Sequence, residues 1–145
     1  MSCSEGLEVT PNTQVKLLTG ENSKTWILSK FTLQIEGETP IDVNEFFGIP
    51  ACTQDDVVTF NRNLSRTYAF SEGATQCDPD DPNVFFEGGW NFSNATSLLT
   101  FSIPVFDGGN DTSYLVEELT SSKLKLALYD GTDIWRFEFD VVDED

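Results

Sequence analysis

The sequence predicts an all-β domain: eight antiparallel strands running up and down and closing into a barrel, with one short N-terminal helix. Three observations carry that expectation. Apolar and polar residues alternate with period two in run after run, most plainly at Leu99, Phe101, Ile103 and Val105 and at Trp135, Phe137, Phe139 and Val141. The runs follow one another through short links rich in Gly, Asn, Asp and Ser. No long amphipathic helix separates them, which excludes a parallel α/β sheet. Alternation gives each strand one dry and one wet face, and closure removes the exposed edges. Two packed sheets are the alternative arrangement.

The elements follow in chain order. Residues 1–12 are polar, contain Pro11 and read as a tether, leaving 13–145 as one domain. Thr13 to Leu18 suits a turn or two of helix, with Thr13 as N-cap and Gly20 as stop, placed to plug one end of the barrel. The first strand spans about Thr25 to Ile35. Its apolar face switches near Lys30, from Trp26 and Leu28 to Phe31, Leu33 and Ile35, which predicts a bulge. A long connection follows, with a short helix over Asp42 to Phe47 whose Phe46 and Phe47 are expected to lie on the body of the domain.

Val57 to Phe60 and Thr67 to Phe70 make the second and third strands. Pro79 and Pro82 keep Ser71 to Asn83 out of any central strand. Val84 to Phe92 is the fourth, with Gly88-Gly89 marking a bulge or a close backbone approach. Leu99 to Val105 is the fifth, with Pro104 near its end. Tyr114 to Thr120, Lys123 to Tyr129 and Ile134 to Val142 complete the eight, the last two joined at Asp130-Gly131, a strong hairpin signal. The acidic end, Asp143 to Asp145, is expected in solvent.

Composition narrows the function. The net charge is −17, from 25 acids against 8 bases, which excludes nucleic acid and an anionic membrane face as partners. There is no histidine, which removes the usual general base and every Ser-His-Asp or Cys-His nucleophile. Paired carboxylates are the remaining acid–base option, and nothing in the sequence marks such a pair. The expected protein is therefore not an enzyme and needs no cofactor. No apolar run reaches the ~18 residues that a membrane-spanning helix requires.

Cysteine usage points outward. Cys52 and Cys77 close a loop of about 26 residues, and a cross-link there would add about 3.5 kcal/mol in the chain-entropy model. The expected state is a disulfide between them; the alternative is two reduced, buried thiols. The odd cysteine, Cys3, lies in Met1-Ser2-Cys3-Ser4-Glu5-Gly6, which resembles the mature start of a bacterial lipoprotein and makes Cys3 a lipid anchor. On that reading the chain is exported and touches membrane through the anchor alone.

Three segments resemble a known group. They are Leu17-Leu18-Thr19-Gly20 through Ser23-Lys24-Thr25-Trp26-Ile27-Leu28; Cys52 followed by Asp55-Asp56-Val57-Val58-Thr59-Phe60-Asn61; and Glu72-Gly73-Ala74-Thr75-Gln76-Cys77-Asp78 with Gly89-Trp90 after it. Together they resemble the lipocalin-like domains of secreted Bacteroidetes lipoproteins, over about Leu17 to Val142. The resemblance implies an eight-stranded barrel, no catalysis and an outer-membrane lipoprotein facing periplasm or cell surface. Lys24-Thr25-Trp26 stands where true lipocalins have Gly-x-Trp.

The candidate site is the barrel interior. Phe60, Tyr68, Phe70, Trp90, Phe92, Phe101, Trp135, Phe137 and Phe139 are placed to line a pocket for a small hydrophobic ligand. The same aromatics are equally suited to fill a solid core. A void above about 300 Å3 with an open mouth favours ligand binding. A packed interior with an exposed apolar patch favours a structural or interaction subunit of a cell-envelope complex. Asp78, Asp80 and Asp81 form an acid-rich loop that is a weak candidate for calcium, since it lacks the spaced ligands of an EF-hand.

Overall fold

The computed structural model describes residues 13–80 and 82–144. A helix, α1, covers residues 13–19. Gly20 ends it with φ +66°, its N–H donating to the Lys16 carbonyl at 2.8 Å. Thr13 lies inside this helix, not before it.

Strand β1, Ser23–Gln34, is followed by the short β2, Ile41–Asp42, and two small helices, α2 (Val43–Phe46) and α3 (Ala51–Gln54). Then come β3 (Val57–Asn61), β4 (Thr67–Ser71), β5 (Val84–Gly89), β6 (Asn91–Ser93) and β7 (Leu98–Phe101). A fourth helix, α4 (Pro104–Asp107), precedes β8 (Thr112–Leu119), β9 (Lys123–Asp130) and β10 (Asp133–Glu144).

The antiparallel ladder runs β5-β4-β3-β1-β10-β9-β8-β7-β6, with β2 hung on β1. Its two ends, β5 and β6, are separated in sequence by Trp90 alone. One extended run therefore lends its first half to β4 and its second half to β7, which nearly closes the sheet into a barrel of nine strands. The eight expected strands are all present, the fourth split in two at Trp90.

The expected bulge in β1 is real. Its register against β10 slips between Leu28 and Lys30, so Trp26 before it and Phe31 and Leu33 after it all turn inward. The Asp130–Gly131 hairpin also forms, with Gly131 at φ +65°. At Gly88, a Cβ would come within 2.8 Å of the Tyr68 hydroxyl, so the backbone there approaches a buried ring too closely for a side chain.

Two expectations need correction. The fifth strand stops at Phe101, because Pro104 opens α4 and leaves Val105 exposed. Phe46 and Phe47 do not lie on the body of the domain. They stand 68% and 56% exposed, because α2 buries Val43 instead. Asp143 is exposed, as expected, while its backbone and that of Glu144 pair with Thr25 and Lys24 as the end of β10.

The barrel's middle is filled. Phe60, Phe101, Tyr114, Phe137 and Phe31 form a chain of rings with centroids 4.8–5.6 Å apart, all nearly or fully buried. One end is closed by α1. Leu18 is buried, its carbonyl accepts from Trp26 Nε1 at 2.9 Å, and Lys24 Nζ donates to the carbonyls of Leu17 and Ser121. The pairing register puts the ends of β4 and β7 and the starts of β3, β5 and β8 at the opposite end.

Candidate functional site at the open end of the barrel

That opposite end holds a pocket of about 390 Å3. Its wall is mostly apolar: Leu28 from β1, Ile49 before α3, Phe70 from β4, Phe85 from β5, and Ile103, Pro104 and Val105 at the start of α4. Asn44, Thr53, Gln54, Asp56, Glu72 and Cys77 supply the rest.

Each wall is held by identifiable bonds. Cys52 and Cys77 form a disulfide, with Cα atoms 5.1 Å apart, that stitches α3 to the loop after β4. Asp55 Oδ2 accepts from both the N–H and the hydroxyl of Thr75, at 2.9 and 2.7 Å. The two segments lie so close that a Cβ on Gly73 would fall 1.8 Å from the Asp55 carbonyl oxygen, so glycine is required there. Across the pocket, Asp107 fixes α4 by accepting from Ile103 N–H, Gly109 N–H, the Ser102 hydroxyl and the Tyr114 hydroxyl. The Tyr68 hydroxyl accepts from Ser102 N–H at 2.8 Å, tying the same corner to β4. Burial pushes both tyrosine hydroxyls above the ordinary phenol range, so they stay protonated.

The acidic side is the unusual part. Val57 pairs with Ser71 in the β3–β4 ladder, and the same register carried one step further sets Asp56 against Glu72. Asp55 Oδ1, Asp56 Oδ1 and Glu72 Oε1 are buried with no hydrogen-bond donor. Asp56 is pushed up to about 7, first by burial and then by the charges of Glu72 and Asp55. Asp56 therefore takes up and gives off its proton near neutral pH.

The expected interior residues divide among different places. Phe60, Tyr68, Phe101, Phe137 and Phe139 are buried in the filled middle. Trp135 is half-buried beside Phe106 and Phe31, with centroids 5.0 and 6.1 Å away. Trp90 and Phe92 pack together at 5.8 Å, with the Arg66 guanidinium 5.3 Å from the Trp90 ring. That tryptophan borders a separate, more polar hollow of about 480 Å3 with Arg62, Leu64 and Arg66, on the side of α1. Of the nine, Phe70 borders the open-end pocket.

Asp78 and Asp80 lie in an exposed turn where Asp78 Oδ1 accepts from Asp80 N–H, and Asp81 is outside the described residues, as is Cys3. Among the described residues no group of three or more His, Cys, Asp and Glu is arranged to hold a metal ion. Sequence reasoning missed the Asp56–Glu72 pair. The signal was present in the hairpin itself, whose two strands are each flanked by an acid on the side away from the turn.

A protein-family model described as a lipocalin-like domain matches residues 18–126. No curated protein matches the chain.

Proposed function

We propose that this chain, which belongs to the lipocalin-like domain family, binds a small hydrophobic molecule in the open-end pocket and performs no catalysis. One observation carries the reading: an apolar pocket of about 390 Å3 sits over a filled barrel, roofed by α2, α3 and α4. A volume of that order suits one small ligand. The barrel fold fits ligand binding in general, and the filled middle moves the site from the centre to the rim. Phe70 and Ile103 belong both to the buried core and to the pocket wall.

The same proposal places the protein outside the cytoplasm as an outer-membrane lipoprotein anchored through Cys3. The Cys52–Cys77 disulfide supports an oxidising compartment, and the likeness to secreted Bacteroidetes lipoproteins supports the anchor. Mass spectrometry of the protein from its native membrane is expected to show Cys3 acylated; an unmodified Cys3 ends that part of the proposal.

Binding is tested by titrating the neutral, environment-sensitive dye N-phenyl-1-naphthylamine. The expected result is a saturable one-to-one signal that Val105→Trp abolishes by filling the pocket. No saturable signal, or one untouched by that substitution, overturns the reading. Two features favour a second reading, an interaction subunit with a solid core: the packed middle of the barrel and the adjacent exposed rings of Phe46 and Phe47.

A further inference from the structure

The polar side of the pocket is made of the neutral Asn44, Thr53 and Gln54 and the acids Asp56 and Glu72. Among the described residues lining it there is no Lys or Arg, while Asp56 and Glu72 both face it. The chain as a whole carries −17. A fatty carboxylate entering this site meets like charge at the wall and in the surrounding field, and finds no cation to pair with. Asp56 Oδ1 and Glu72 Oε1, on two side chains that line the pocket, have no hydrogen-bond partner within the chain. Among the described residues no cluster is arranged for a metal ion, and the wall of Leu28, Phe70 and Ile103 offers an apolar surface to an apolar body. One kind of molecule suits both features at once.

We infer that the pocket selects an amphiphilic organic cation, a primary or secondary ammonium on an alkyl or aromatic body, with the ammonium N–H groups seated between Asp56 and Glu72. The inference rests on the open-end pocket being the ligand site. The ammonium takes the place of the proton that Asp56 otherwise carries. The pH response follows, because the groups facing Asp56 are Glu72 and Asp55, both acids. Ammonium affinity is expected to rise as pH passes upward through about 7, where Asp56 gives up its proton. An alkylammonium stays charged throughout that range.

The test is calorimetric titration at pH 8 with dodecylammonium, dodecanol and dodecanoate, each below its micelle concentration. Three forms of the full chain are compared: the natural one, Asp56→Asn/Glu72→Gln, and Glu36→Gln/Glu38→Gln. The last pair is exposed and outside the pocket lining, and its loss makes the net charge less negative by the same amount. Dodecylammonium is expected to bind about tenfold tighter than dodecanoate. That preference is expected to vanish in the pocket variant and to persist in the control. Circular dichroism checks that each variant folds, and Asp56→Asn alone serves if the double substitution does not. Equal binding of ammonium and carboxylate, or a preference that survives in the pocket variant, overturns the inference while leaving the pocket reading intact. Failure of all three amphiphiles to bind overturns the pocket reading itself.

Discussion

At the α1 end of the barrel a buried cation, Lys24, gives its protons to the carbonyls of Leu17 and Ser121 and lies 4.9 Å from the Trp26 ring. At the other end, buried carboxylate oxygens of Asp56 and Glu72 have no donor. The first arrangement completes its polar groups within the chain and turns a barrel mouth into a wall. The second leaves groups that something outside the chain must complete. Buried polar atoms are nearly always paired, so the unpaired ones mark where local stability has been set below its attainable value. The two ends are therefore expected to respond differently to substitution, reduction and pH.

The largest effect belongs to the closed end. Trp26→Ala removes a fully buried ring and the bond to Leu18, and is expected to cost about 3–5 kcal/mol in a denaturant melt. A loss under about 1 kcal/mol would mean that α1 does not seal the barrel. Next comes the stitch at the open end. Cys52→Ser/Cys77→Ser is expected to cost about 3 kcal/mol. Amide exchange should quicken over residues 50–56 and 72–80 while β9 and β10 stay protected; uniform loosening would erase the contrast between the ends.

A smaller effect follows from Asp56. In the unfolded chain it ionises near 3.8, in the folded chain near 7. Between those values the folded protein holds the extra proton, so stability is lost as pH rises through that window. Asp56 is partly open to solvent, and screening leaves on the order of 1 kcal/mol. Asp56→Asn should flatten the decline between about pH 4 and pH 7 in thermal melts; an unchanged slope would place its cause elsewhere. Smallest of all, Phe46→Ser is expected to shift stability by less than about 0.5 kcal/mol, because its ring is already in solvent.

Much of this was legible in the sequence, for a physical reason that also explains the rest. Period-two alternation is set by burial, so Phe137 and Phe139, Leu124 and Leu126, and Tyr68 and Phe70 announced their inward faces. The bulge near Lys30 showed as a slip in the same pattern. Where burial does not alternate, the reading failed. Ile103 and Val105 continue the strand pattern in sequence, yet Pro104 and the grip of Asp107 on Ile103 N–H turn that stretch into a helix. Phe46 and Phe47 are apolar without being buried, which no hydrophobicity pattern reveals. The interior aromatics were recognised as lining, but whether nine large rings leave a void depends on packing volumes that alternation does not encode. The Asp56–Glu72 pair depended on strand register, which the short turn of the β3–β4 hairpin sets and residue type alone does not.

The claim on which the account rests is that the open end, and not the barrel centre or the Arg62–Trp90 hollow, receives the ligand. Amide chemical-shift mapping during titration with N-phenyl-1-naphthylamine tests it most directly. Saturating shifts are expected at residues 54–56, 70–77 and 103–105, with residues 17–26 and 62–66 unmoved. Shifts centred on Arg62, Arg66 and Trp90, or spread through the core strands, would contradict it.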